Sequence, residues 1–159
     1  MDKTAFIDKF GGVYEHSEWI AAQAYDDGAD PQDVEALAQV MRRIVEEAGE
    51  DAQLALLRAH PDLAGKLAKS GALTEESTSE QAGAGLDQCS EAEFAEFTQL
   101  NTAYKEKFDF PFILAVKGRN RQEILENFRT RIHNTRAVEF REALDQVHQI
   151  ARLRLEAMG

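Results

Sequence analysis

The sequence has a single cysteine, three prolines and no long hydrophobic run. Because Cys89 has no second cysteine to bond with, an intramolecular disulfide is excluded and a reducing compartment is expected. No segment approaches the roughly 18 uninterrupted apolar residues of a membrane-spanning helix, and residues 1–10 lack the apolar core of a signal peptide. We therefore expect a cytoplasmic protein with no membrane partner.

Acidic residues outnumber basic ones, and the basic residues are scattered. The chain has 18 Lys and Arg against 29 Asp and Glu, which gives a formal net charge of −11. A field of this sign repels nucleic-acid phosphates, and no basic stripe opposes it, so we expect no nucleic-acid partner. A local arginine inside a cleft can still bind an anionic small molecule.

Motifs for metals and common cofactors are absent. There is no cysteine pair and no pair of histidines four residues apart, so a zinc site is not predicted. Gly83 and Gly85 follow no predicted strand, which excludes a dinucleotide fingerprint, and no phosphate-binding loop is present. Nothing supports Cys89 as a nucleophile. We expect no metal and no cofactor.

What the sequence does contain is helical periodicity. Asp30-Pro31 predicts a helix start, with Asp30 as N-cap and Pro31 in the first turn, and Gly49 predicts the end of that helix. A second helix is predicted from Asp51 to Ala59. It must end by His60, because a residue before proline is pushed out of the helical region.

Further helices follow from capping patterns. Ser90 with Glu93, and Asn120 with Glu123, each have the spacing that begins a helix, and a last helix is predicted from about Arg136 to about Leu155. Residues 108–116 have strand propensity but no partner strand, so a buried loop or short helix is favoured. The sequence predicts an all-α protein, a helical bundle of about eight helices in one domain spanning residues 1–159.

Arg154 occupies an unexpected position in the last helix. Phe140, Val147 and Arg154 are seven residues apart, so they share one face within about 20°. A guanidinium on an apolar face is costly to bury without an anion. Either its head reaches water near the chain end, or it binds an oxygen of a ligand.

His60 and Glu80 are the other candidates for chemistry. His60 stands between a helix end and Pro61, and its imidazole suits acid–base work near neutral pH, although a lone histidine is more often structural. Ser77 and Glu80 have the spacing of a capping box, so Glu80 has an alternative explanation as a helix cap.

The ordered motifs together resemble one family, the 2-oxo-4-hydroxy-4-carboxy-5-ureidoimidazoline (OHCU) decarboxylases. The motifs that carry the resemblance extend over almost the whole chain: Phe10–Trp19, His60-Pro61-Asp62-Leu63, Ser77-x-x-Glu80-Gln81 with Gly85-Leu86, Asn101-x-x-Tyr104-x-x-Lys107-Phe108, Phe110-Pro111-Phe112-Ile113, Arg131-Ile132-x-Asn134, Glu139 and Arg152–Leu155. Glu18 stands where the family usually has proline, which puts the local backbone in question rather than the chemistry.

The resemblance implies a function and a set of site residues. The expected reaction is decarboxylation of OHCU to S-allantoin in urate degradation, in an all-helical, cofactor-independent and commonly homodimeric enzyme. His60 would be the catalytic acid/base, and Glu80, also catalytic, would bind ureido and ring nitrogens. The implied substrate-binding residues are Pro61, Ser77, Gln81, Phe112, Ile113 and Arg154.

Two other functions remain open from the residues alone. A non-catalytic acidic helical module that binds a partner helix would show an exposed apolar groove. A related enzyme acting on another ureide would share the fold, because fold does not fix the substrate.

Overall fold

The computed structural model describes residues 1–64 and 73–158, and within them it contains eight α-helices and no β-strand. This confirms the all-α prediction and the expected number of helices. None of the described helices is long and apolar enough to cross a membrane. The helices are α1 Lys3–Phe10, α2 Glu18–Asp26, α3 Val34–Glu47, α4 Glu50–Ala59, α5 Glu75–Gly83, α6 Glu91–Phe108, α7 Arg121–Arg131 and α8 Arg136–Met158, with a short 3₁₀ helix, Leu86–Gln88, before α6.

Most predicted helix boundaries are confirmed. Ser90 and Asn120 both form complete capping boxes with the glutamate three residues later, at the starts of α6 and α7. The helix before His60 ends at Ala59 as predicted. Gly49 follows the end of α3 with a φ of +94°, a left-handed conformation that glycine adopts without a steric cost.

The predicted start of α3 is wrong by three residues. Asp33, not Asp30, is the N-cap, and its side chain accepts from the Ala36 amide at 3.1 Å. Asp30 instead accepts from the Gln32 amide at 2.8 Å and closes a turn. Both aspartates have capping chemistry, and the local turn around Pro31 decides between them.

The Asn120 cap provides a stability test of these boundaries. Asn120→Ala removes the acceptor of the Glu123 amide, 2.9 Å away, and should destabilise the protein by about 1 kcal/mol. Urea unfolding followed by circular dichroism measures the change. Gln122→Ala, an exposed neighbour outside the capping box, is the control, and equal stability of the two variants would contradict the assignment.

The chain divides into two compact units, Met1–Ala59 with Val147–Gly159, and His60–Gln146. In the first unit the core contains Phe6, Ile20, Leu37, Met41 and Val45, all at most 1% exposed. In α1, α2 and α3 the buried apolar residues recur at helical spacing, so each helix has one apolar face, and that face packs inward. The single-domain organisation over residues 1–159 stays a prediction.

The second unit has an aromatic core. Phe112 and Phe128 stack with ring centroids 4.0 Å apart, and Tyr104 packs edge-on against both of them. Of the two alternatives for residues 108–116, the buried loop is confirmed and the short helix is wrong, because residues 109–116 form no regular element and Phe110 to Val116 are all buried. A buried irregular segment must find hydrogen-bond partners outside itself, and this requirement shapes the candidate site.

Candidate active site

His60 lies immediately after α4 and is buried, with 8% of its surface exposed. The following Pro61 prevents His60 from continuing the helix, so the imidazole sits where α4 ends, just before the turn at Leu63 and Ala64. Burial and a restricted backbone limit the imidazole to few orientations, as general acid–base catalysis requires.

Two side chains from later helices anchor the segment that follows His60. The Gln81 amide accepts from the Ala64 amide at 2.9 Å and donates to the Asp62 carbonyl at 3.3 Å. Asn101 donates to the Leu63 carbonyl at 3.0 Å. Ala64 has a φ of +53°, which is strained for a residue with a Cβ, and the bond from Gln81 helps to hold it there.

Helix α5 carries three of the expected site residues, Ser77, Glu80 and Gln81. Its N-cap is Thr74, whose hydroxyl accepts from the Ser77 amide at 3.2 Å. The alternative explanation, in which Ser77 and Glu80 form a capping box, is therefore wrong. Ser77 and Gln81 are one turn apart and both buried, while Glu80 is half-buried.

Phe112 and Ile113 lie in the buried irregular segment and are held by the second unit's own side chains. Arg131 donates to the Ile113 carbonyl at 2.7 Å, and its guanidinium lies 4.4 Å from the centroid of the Phe112 ring. Gln146 accepts from the Ala115 amide at 2.9 Å. These contacts fix the path of the backbone at Phe112 and Ile113, two of the substrate-binding residues that the resemblance implies.

Arg131 belongs to a buried polar cluster centred on Glu139, which is fully buried. The Glu139 carboxylate accepts from Arg131 at 2.8 Å, from the Tyr104 hydroxyl at 2.6 Å and from Asn134 at 3.0 Å. Burial, followed by the hydrogen bond to Glu139, raises the pKa of Tyr104 well above its usual range. The phenol therefore stays protonated and donates.

Arg154 is also buried, and its guanidinium is bound inside the first unit. It pairs with the Glu15 carboxylate at 2.9 Å and donates to the Gly12 carbonyl at 3.1 Å. Its side chain is only 4% exposed and that of Glu15 is 1% exposed. The alternative in which the head of Arg154 reaches water is wrong, because the charge is buried against a carboxylate.

The remaining three histidines lie outside the segment that carries His60, and His16, which has a φ of +49°, has its Nε2 3.9 Å from the Glu15 carboxylate. His148 is buried, and its Nδ1 lies 2.8 Å from the Tyr14 hydroxyl. His16 and His133 are exposed. Among residues 1–64 and 73–158, no cluster of three or more histidine, cysteine or acidic side chains could hold a metal ion.

The sequence alone predicted no role for Glu15, Arg131 or Glu139. Glu15 follows Val13 and Tyr14, both buried, so an acid next to apolar neighbours was the available signal. Arg131 and Glu139 stand close together in sequence on either side of a helix break, a spacing that allows an ion pair without requiring one.

Comparison with known proteins identifies the family. The family model described as OHCU decarboxylase matches residues 1–156. The 2-oxo-4-hydroxy-4-carboxy-5-ureidoimidazoline decarboxylase of Haloferax volcanii is 43% identical over 155 residues, covering 98% of this chain and 89% of the relative.

Solved structures agree in fold. A crystal structure of (S)-allantoin synthase superposes with a TM-score of 0.78 and 32% identity, covering 99% of this chain and 50% of that one. OHCU decarboxylase crystallised in the presence of (S)-allantoin gives a TM-score of 0.71 at 24% identity, covering 92% and 94% of the two chains, which supports the all-helical fold. Because the family model matches residues 1–156, nearly the whole of this sequence, the chain belongs to the OHCU decarboxylase family.

Proposed function

We propose that this chain decarboxylates OHCU to S-allantoin in urate degradation, using the side chains described above and no cofactor. The observation that carries the proposal is the family match across residues 1–156. As a member of that family, the chain is a carboxy-lyase. The residue roles below are supported by the motifs and by local geometry.

The substrate's own structure explains why no cofactor is needed. Its carboxylate and hydroxyl share one ring carbon, and the neighbouring ring carbon belongs to a C=N bond. When the bond to the carboxylate breaks and carbon dioxide leaves, the electron pair forms a C=C bond, and the C=N pair moves to nitrogen, which takes a proton. The resulting enol loses its hydroxyl proton as the carbonyl forms, and the adjacent carbon is protonated on one face.

We assign to His60 the removal of the hydroxyl proton as the carbonyl forms. His60 is buried, it is fixed by the end of α4 and by Pro61, and an imidazole exchanges protons near neutral pH. Pro61 would line the site beside it. Proton transfer of this kind contributes typically about 10²–10⁴-fold, and orientation in a dry site supplies more.

Helix α5 supplies the proposed contacts to the ureido and ring nitrogens. A glutamate accepts hydrogen bonds from N–H groups, and Glu80 is half-buried on the same turn as Gln81. Ser77 is buried and lies inside α5, whose N-cap is Thr74. The Gln81 amide holds the backbone next to His60, so it would orient the histidine segment while contacting the substrate.

Backbone groups at Phe112 and Ile113 and the guanidinium of Arg154 complete the proposed set. The backbone at Ile113 is held by Arg131, and rigid placement of this kind suits orientation of a planar ring. Arg154 would donate to a substrate oxygen. We further propose that residues 1–159 form one domain and that the protein is cytoplasmic, as the single cysteine suggests. We also propose that it is a homodimer, and sedimentation equilibrium would test this oligomeric state.

The direct test is optical. The purified protein is added to freshly generated OHCU, and we expect the ultraviolet absorbance to decay faster than in buffer, with a circular dichroism signal of S-allantoin appearing at the same rate. Boiled protein is the control. Decay at the uncatalysed rate, or racemic allantoin as the product, would rule out the proposed activity.

A further inference from the structure

Glu15 lies in the connection between α1 and α2, and its carboxylate is one of the most buried charges in the first unit. Its Oε2 is 2.9 Å from Arg154 Nη2. On the other side of the guanidinium, Nη1 lies 3.1 Å from the Gly12 carbonyl oxygen and 3.5 Å from that of Val13. Three oxygens of residues 12–15, two from backbone carbonyls and one from the Glu15 carboxylate, therefore contact the Arg154 guanidinium.

The ion pair between Glu15 and Arg154 has no formal net charge. Both side chains are at most 4% exposed, so water screens them little, and the carboxylate cancels the formal charge of the guanidinium. A guanidinium has five N–H donors, so it can hold these oxygens and still donate to a ligand. It does so as part of a neutral pair, which favours a neutral ligand oxygen over an anionic one.

The chemistry of decarboxylation makes this distinction matter. The substrate carboxylate is fully charged at the start and becomes neutral carbon dioxide as the bond breaks. A net cation held against it would stabilise the ground state more than the transition state and would slow the reaction. A charge-compensated arginine that binds a ring or ureido carbonyl avoids this penalty.

We propose that Glu15 is a positioning residue for the reaction. It fixes the Arg154 guanidinium and cancels its charge, so that Arg154 selects a neutral carbonyl oxygen of the substrate rather than its carboxylate. The inference depends on the proposed function, in which Arg154 contacts the substrate.

Glu15→Gln tests the proposal, because it keeps the size of the side chain and removes the charge. We expect kcat for OHCU to fall about tenfold or more with no rise in KM. We also expect the dissociation constant for allantoate, an anionic ureide, to fall at least about tenfold relative to that for neutral allantoin. A tenfold change in the ratio of the two dissociation constants is smaller than the effect of a nearby unit charge at moderate dielectric. A merely structural role would not change the ligand preference.

Glu35→Gln is the matched control, because Glu35 forms an exposed ion pair with Arg152, on the same helix as Arg154. We expect wild-type kinetics and ligand preference from it. If folded Glu15→Gln has wild-type kcat and an unchanged ratio of the two dissociation constants, the proposal is overturned.

Two more measurements distinguish a folding defect and a failure of the proposed function from a failure of this inference. Should Glu15→Gln fail to fold, Glu15→Asp keeps the charge but moves it, and we expect a lower kcat with the wild-type ligand preference; an unchanged kcat would overturn the positioning role. A wild-type protein without OHCU decarboxylation would refute the proposed function. An active wild type with a normal Glu15→Gln would refute only this inference.

Discussion

Replacing His60 with asparagine is expected to lower kcat for OHCU by about 10²–10⁴-fold. Asparagine is close in size to histidine and can still form hydrogen bonds, but it does not exchange a proton near neutral pH. The imidazole is buried at the break between α4 and Pro61, so a diffusing buffer base has little access to replace it. Progress curves of OHCU absorbance at matched enzyme concentrations measure the loss.

His133→Asn is the control, because His133 is exposed and follows α7. It should retain wild-type turnover. Helical circular dichroism and the melting temperature of His60→Asn should remain near wild type, which separates lost chemistry from lost structure. A well-folded His60→Asn with more than a tenth of wild-type kcat would rule out the acid/base role.

The second large effect is expected at Glu139. Its carboxylate is fully buried and accepts from Arg131, Tyr104 and Asn134. Glu139→Ala leaves the Arg131 guanidinium, 5% exposed, as an uncompensated buried charge, which typically costs about 3–5 kcal/mol. At about 2–4 °C for each kcal/mol in a protein of this size, the melting temperature should fall by roughly 6–20 °C.

Glu96→Ala provides the comparison, because Glu96 forms an ion pair with Arg129 at a largely exposed site. Water solvates either charge when the other is removed, so we expect little change in melting temperature. If the Glu139 and Glu96 variants melt within about 2 °C of each other, a shift worth roughly 1 kcal/mol or less, the buried cluster does not stabilise the second unit as proposed.

Local signals in the sequence predicted most of the helices. Ser90 and Asn120 begin helices with glutamates three residues later, and each glutamate bonds back to its cap. Both partners of such a bond lie within four residues, so the sequence alone contains the whole interaction. Proline at position 61 and glycine at position 49 act just as locally on the backbone.

Predictions failed where two nearby residues offered the same chemistry. Asp30 and Asp33 could both begin α3, and Thr74 and Ser77 could both begin α5. The choice depends on the turn that precedes each helix and on which side chain the core requires, and neither is a local property. Ser77 is buried, and an N-cap at that position would have shortened α5 by three residues.

The sequence placed Arg154 on the apolar face of its helix but did not indicate its ion-pair partner. The seven-residue spacing of Phe140, Val147 and Arg154 indicated correctly that Arg154 faces inward, and the structure shows it buried. Its partner, Glu15, is near the other end of the chain. No period or spacing connects two such residues, because only the folded backbone brings them into contact.

Because Thr74 caps α5, the start of this helix does not depend on the side chain at position 77. Since the Thr74 hydroxyl satisfies the Ser77 amide, α5 can begin without any contribution from the Ser77 side chain. The start of α5 therefore does not require a hydroxyl at position 77. If Ser77 contacts the substrate as proposed, a substitution at position 77 would change ligand preference and leave the start of α5 intact.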